Sequence, residues 1–296
     1  MQATEVELAQ ATRIRDAATV DPDIDESSLT DWEYLQHALV AKDRVDKALE
    51  RIRRSQELKH RYGIQGDGSV EAALRDLQLY QRLYPRFLLS LKQVSSKQQQ
   101  QQSSSNNSNS GDSHTDDSEE ATLDAPHVFC QDMAQVVKSR NEEAYAVRVR
   151  VLFWLLQAMH CNIPAMRSGV YLVVSVKNAS LNNLSLEQDR RNKELYGGAS
   201  YPLRIRRIYV WNTSFWIRWF YSLVRLMLRP TVRQRTHFCG NQVDLLAMAA
   251  GEAWSQDDLP TSWGGSVSED DFWDTVRAKL SERYRNAANF SLPEQE

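Results

Sequence analysis

Cysteine is scarce in this chain of 296 residues. Cys130, Cys161 and Cys239 are odd in number, far apart and without a CxxC spacing. A disulfide framework and a cysteine-held zinc site are thereby disfavoured, and a reducing compartment is the default. Long apolar runs are missing too. The most apolar stretch, Trp211 to Leu228, is broken by Arg218 and Arg225, and is too short and too charged to span a bilayer comfortably. Met1 to Ala11 carries acids and no apolar run, so no signal peptide is expected there and the protein is expected to be soluble and cytoplasmic. There is no GxSxG elbow, P-loop or HExxH pattern. His127, His160 and His237 stand isolated, and acid pairs such as Glu142 with Glu143 fit helix starts, where capping explains them. The chain is therefore not read as an enzyme, and neither a metal nor a cofactor is expected.

With 42% apolar and 25% charged residues, the chain can build a sizeable core in one large or two small domains. Its first patterned stretch is helical. Thr30 and Glu33 have the spacing of a capping box before the stripe Trp32, Leu35, Leu39 and Val40. A second helix opens at Val45 and ends near Tyr62 and Gly63, and a third is expected over 70–83. Between Val94 and Ala125 five consecutive glutamines lead into Ser/Asn repeats and an acidic run, which cannot bury enough apolar surface to order. The expectation there is a disordered insertion within a domain.

Periodic sequence then resumes. Asn141 to His160 reads as a helix through Tyr145, Val149, Leu152, Phe153 and Leu156. Gly169 to Val176 is an apolar, β-branched run of the kind covered on both faces. A polar helix over Leu186 to Tyr196 and a second strand over Leu203 to Val210 complete a βαβ crossover. The fold class is therefore α/β with a largely parallel sheet.

Acids and lysine are absent between Tyr201 and Gly240, where eight arginines fall. Such an excess in a net-negative chain points to an anionic partner. Over Phe215 to Arg229, Arg218, Ser222, Arg225 and Arg229 share one helical stripe, and Phe215, Trp216, Trp219, Phe220, Leu223, Val224 and Met227 take part of the apolar remainder. A membrane-interface helix fits this pattern, as does an amphipathic core helix with a basic edge. Arg204 and Arg206 flank Ile205 and are expected on one side of the strand, where with Arg233 and Arg235 they can bracket a phosphate. Solvated strand-edge charges are the alternative. Nucleic acid is not expected as a partner.

The stretch Tyr201 to Asn212 resembles the strand leading to the mobile gate helix of the CRAL-TRIO (Sec14-like) family. Arg229-Pro230, Arg235 to Gly240 and Leu259 to Gly265 follow in that family's order. The likeness is nearest to the subgroup of α-tocopherol transfer protein, cellular retinaldehyde-binding protein and clavesins. It implies a flexible terminus over 1–28, an N-terminal helical domain over 29–83, a lipid-binding domain over 84–280 carrying the insertion at 94–125, and a C-terminal tail over 281–296. It further implies a mixed sheet flanked by helices and a cavity for one lipid, closed by a gate from Phe215 to Leu228. By position the cavity wall falls on Leu152, Leu156, Val170, Leu172, Val174, Leu203 and Ile208, with Phe220, Leu223 and Val224 closing from the gate. Phe215, Trp216, Trp219, Phe220 and Met227 would meet the membrane. The phosphoinositide-contacting positions fall on Arg204, Arg206 and Arg235, with Arg229 and Arg233 near a fourth position that is Thr231 here. The function expected is transfer of a hydrophobic lipid (isoprenoid, sterol or phospholipid) by a monomer that docks on phosphoinositide-containing endosomal or Golgi membranes. A membrane adaptor of the same fold without transfer is the alternative.

Overall fold

The computed structural model describes residues 2–41, 44–64, 70–83, 88–94, 126–135, 141–179, 201–224 and 230–293. Four helices come first: α1 (Glu5–Thr19), α2 (Asp31–Ala41), α3 (Val45–Tyr62) and α4 (Val70–Leu83). They are followed by β1 (Leu88–Gln93), β2 (His127–Asp132), α5 (Glu142–Met159), α6 (Ile163–Ser168), β3 (Val170–Ser175) and β4 (Ile205–Trp211). The chain continues through α7 (Phe215–Val224), α8 (Pro230–Arg235), β5 (Thr236–Phe238), α9 (Gln242–Ala249) and α10 (Phe272–Ala288). The expected helix over 186–196 and most of the insertion lie outside the described residues.

The stretch expected as a flexible terminus over 1–28 carries a helix, and the tail expected from 281 continues one. Thr4 and Glu7 form a reciprocal capping box at the start of α1. Ala11, Ile14 and Ala18, at helical spacing, then pack against Leu35, Ala48 and Ile52. The apolar stripe of α1 is thin, because small alanines supply most of it, and the acids around it read as solvated sequence. At the other end α10 runs beyond residue 280. Leu292 is buried, and Phe290 sets its ring edge-on to Trp32 at 5.6 Å. The two termini thus close one core with α2 and α3. The Thr30–Glu33 capping box is present, each backbone N–H donating to the other's side chain at 3.1 and 3.3 Å. Gly63 ends α3 at φ 65°, a left-handed position that suits glycine.

The sheet has the order β1-β2-β3-β4-β5, with β1 antiparallel to β2 and every later pair parallel. The architecture is therefore α/β, with N-terminal helices followed by a mixed sheet flanked by helices. Val94 donates to the Pro126 carbonyl at 2.9 Å, so the intervening segment connects two antiparallel neighbours whose ends meet. Closing so long a connection adds little cost, because loop entropy grows only logarithmically. Asn141 caps α5 by accepting from Ala144 N at 2.8 Å. That helix is buried along most of its length and packs with α4 and α10 on one side of the sheet, where Phe129 and Val170 point. The Asp76 carboxylate ties α4 to α5 by accepting from Arg150 Nε at 2.9 Å and Trp154 Nε1 at 3.0 Å. On the other side Val128, Cys130, Tyr171, Val173, Tyr209 and Trp211 pack against Leu245, Trp254 and Leu259.

Candidate functional site

Register assigns the half-covered part of the sheet. Leu172 pairs with Ile208 and Val174 with Val210, and these in turn pair with Thr236 and Phe238. Alternation therefore places Leu172, Val174, Ile208, Val210 and Phe238 on one face. All five are half-buried, whereas Tyr171, Val173, Tyr209 and Trp211, which alternate with them, are buried on the opposite face. Of the expected cavity residues, Leu152, Leu156 and Val170 are core side chains with little contact to solvent, and Leu172 and Leu203 pack half-buried against them. Val174 and Ile208 belong to the half-covered apolar row. Phe220, Leu223 and Val224 lie on α7, their side chains outside the described residues, as is that of Trp216.

α7 is described as far as Val224, and the rest of the expected gate, to Leu228, lies outside the described residues. Met227 and Arg229 lie outside the described residues. Phe215 and Trp219, one helical turn apart, are 86% and 60% exposed. On α9, Val243 (75%) and Met248 (47%) are exposed as well. α7 and α9 each follow, after three intervening residues, the carboxyl end of adjacent parallel strands, β4 and β5. Thr213 joins the two starts: its N–H and hydroxyl both donate to the Cys239 carbonyl. A Cβ added at Gly240 would stand 3.4 Å from Arg218 Nη2. Asp244, an acid on the exposed side of α9, is occupied as a cap, accepting from the N–H groups of Gly240 and Asn241. Sequence reasoning missed Val243 and Met248, since one exposed valine in an eight-residue helix carries no periodic signal.

The arginines are arranged differently from a strand alternation. β4 begins only at Ile205, and its pairing with β3 slips between Val170 and Tyr171. Arg204 donates to the Arg167 carbonyl at 2.8 Å, and Arg206 donates from Nε to the Ser168 carbonyl and from Nη1 to the Tyr171 hydroxyl. Both thus serve the open carbonyls at the C-terminal end of α6, where cations are favourable. Gly169 permits this close crossing: at φ 77°, a Cβ there would lie 2.2 Å from the Arg204 carbonyl oxygen. Arg235 donates to the Ile205 carbonyl at 2.5 Å. Arg204, Arg206 and Arg235 each hold a different backbone carbonyl, with Arg233 exposed on the helix of Arg235. Arg207, the strand's third arginine, is spent on an ion pair with Glu252.

Nucleophilic chemistry finds little support. Burial pushes the thiols of Cys130 and Cys161 up to about 12 and that of Cys239 to about 11, so all three stay protonated. Among the described residues no group of three His, Cys, Asp or Glu side chains could hold a metal ion, and no helix is long and apolar enough to cross a membrane.

Residues 91–265 match the CRAL/TRIO domain, more than half of the chain. The chain is similar to tyrosine-protein phosphatase non-receptor type 9 of Mus musculus, with 24% identity over 130 residues, covering 44% of this chain and 21% of that protein. The Homo sapiens protein of that name is 24% identical over 124 residues, covering 42% and 20% respectively. The chain thus spans about a fifth of the length of these relatives. Among solved structures it is similar to the crystal structure of Sfh5, with TM-score 0.37 and 16% identity, covering 50% of this chain and 54% of that one. The chain therefore belongs to the CRAL/TRIO domain family, whose domains are lipid-binding modules without catalytic chemistry.

Proposed function

We propose that this protein holds one hydrophobic lipid in an internal cavity over the Leu172, Val174, Ile208, Val210 and Phe238 face and transfers it between membranes, with α7 as the gate. The observation that carries this reading is the exposure of Phe215 and Trp219 on the helix that follows β4. Large aromatics in water are wasted on a soluble surface, and each gains roughly 1.5–3 kcal/mol when fully buried. Val243 and Met248, exposed on α9, offer further apolar area. Docking is directed by Arg204, Arg206, Arg233 and Arg235 toward a phosphoinositide headgroup, each basic residue contributing about 1 kcal/mol near an anionic surface. The protein acts as a monomer on the cytoplasmic face of endosomal or Golgi membranes. The order of motifs from Tyr201 to Gly265 supports placement near the tocopherol-transfer and retinaldehyde-binding subgroup.

The test is native mass spectrometry of the purified protein, with organic extraction of whatever co-purifies. One lipid-sized adduct per chain supports transfer and identifies the lipid class. A mass that stays empty after incubation with mixed liposomes overturns it in favour of a membrane adaptor of the same fold. That second reading is favoured by the relatives' length, since a matching stretch there is joined to a much longer chain.

A further inference from the structure

Five segments bring polar side chains into the interior between the N-terminal helices and the sheet. Glu33 and His37 come from α2, Lys59 from α3, Gln157 and His160 from α5 and its C-cap, Tyr201 from the approach to β4, and Arg283 from α10. All seven are buried. Contacts tie them into one neighbourhood. Lys59 donates to Glu33 at 2.9 Å and stands 5.6 Å from the centre of the Phe153 ring. Phe153 meets Tyr201 edge-on at 5.8 Å, and Tyr201 stacks on His160 at 5.3 Å. α10 packs against α5 and α2, and Arg283, which lies over the ring of Tyr284, acts electrostatically on Glu33, His160 and Tyr201.

Among the described residues, Lys59 and Arg283 both act on the Glu33 carboxylate, and Lys59 takes it. Arg283 has neither an ion-pair nor a hydrogen-bond partner among the described residues. Its Nε is sealed from solvent without an acceptor, as are the Tyr201 hydroxyl, both ring nitrogens of His160, His37 Nδ1 and Gln157 Oε1. An isolated buried charge costs several kcal/mol, and arginine cannot relieve that cost by losing its proton.

We propose that Arg283, Tyr201 and His160 form an interior oxyanion site for a phosphate-type group. Guanidinium, phenol and imidazole N–H or O–H groups are all donors, and an added negative charge would give Arg283 its missing partner. Gln157 Oε1 is left to accept from a protonated phosphate oxygen. A cationic or purely apolar guest leaves Arg283 unmatched. Tyr201 and Phe153 share their core with Leu152, Leu156, Val170 and Leu203, so the phosphate can belong to a lipid whose tails follow that apolar wall or arrive as the free ion. The charge argument is independent of the transfer reading, because a protein that exchanges no lipid still needs this anion.

The test uses the full chain, dialysed free of phosphate. It is then incubated with sodium phosphate, with phosphatidylcholine vesicles containing phosphatidic acid, or with phosphatidylcholine vesicles alone. After repurification, phosphorus content and native mass are measured. We expect one phosphorus-bearing group per chain. Retention from the first arm identifies the free ion as the source, and retention only from the second identifies the lipid headgroup. R283M should lose the group and R283K should keep part of it, while phosphate should raise the thermal midpoint of the wild type and not of R283M. A wild-type chain empty in both arms, or a folded R283M that binds as the wild type does, overturns the proposal. Should R283M fail to fold, Y201F decides. Loss of one hydrogen bond to a charged group should weaken binding about tenfold, and unchanged affinity overturns the site.

Discussion

Arg218 donates from Nε to the hydroxyl of Thr213 at 3.1 Å, and that hydroxyl donates onward to the Cys239 carbonyl at 2.9 Å. The first turn of α7 is thereby fastened to the end of β5. If α7 is the gate, this is its fixed end. Thr213→Val keeps the shape and removes both side-chain bonds, so it should accelerate lipid exchange between vesicles. The accompanying stability loss should be about 1 kcal/mol, the net value of such hydrogen bonds. A fluorescent-lipid transfer assay checks it, and an unchanged rate would place the moving end elsewhere.

Trp219 is 60% exposed, so its removal should barely touch folding. Trp219→Asp is expected to slow exchange strongly, because it sets a carboxylate where the helix meets lipid. Its urea midpoint should stay within the range of ordinary surface changes, about 0.5 kcal/mol. Slow exchange together with lost stability would instead make Trp219 a packing residue.

Arg233 separates the basic patch from structural arginine. Arg204, Arg206 and Arg235 each hold a backbone carbonyl, so reversing their charge disturbs α6 and β4 as well as any headgroup. Arg233 is exposed on α8. Arg233→Glu should reduce co-sedimentation with phosphoinositide vesicles, at unchanged thermal stability, and the defect should shrink as salt is raised. Binding equal to the wild type would remove the patch from the docking mechanism.

The elements whose periodicity is set by large side chains were legible before folding. β3, with its branched apolar run, and α5, with Tyr145, Val149 and Leu152 on one stripe, sit within a residue or two of their expected limits. α1 was not, because Ala11 and Ala18 bury little area each and only the docking of α2 and α3 makes them core. The alternation of Arg204 and Arg206 assumes continuous pairing, whereas the register of β4 on β3 shifts between Val170 and Tyr171, beside the close approach of Gly169 to Arg204. The interior charge cluster was invisible because Glu33, Lys59, Tyr201 and Arg283 come from four separated segments. Each reads alone as a surface residue.

Within that cluster Glu33 and Lys59 are a buried ion pair. Burial raises the Glu33 carboxyl, but Lys59, Arg283 and the Thr30 N–H outweigh it and hold it below its ordinary value. Lys59→Met should strand the carboxylate and cost about 3–5 kcal/mol. Joining it to Glu33→Leu should restore much of the loss, since an apolar pair of similar volume avoids the desolvation penalty. Chemical denaturation of the single and double variants measures the difference. Additive losses would mean that the two groups do not act as a pair.

His37 and His160 set the acid limit of the fold. Burial pushes both imidazoles down to about 3 from an ordinary 6.5, with Arg51 and Lys59 adding to the effect at His37 and Arg283 at His160. Both are therefore neutral in the folded protein but take up protons in the unfolded chain. Their contribution is complete above 6.5 and is lost progressively as pH falls toward about 3. Within that window each removes up to about 1.4 kcal/mol per pH unit. Glu33 works in the same direction but only below the ordinary carboxylate value of 4.5, so the range between these values isolates the histidines. Urea midpoints in phosphate-free buffer should fall steadily there, and His37→Gln with His160→Gln should flatten the slope even if the variant starts less stable. A slope that survives both substitutions would show that other groups, His127 among them, govern the acid limit.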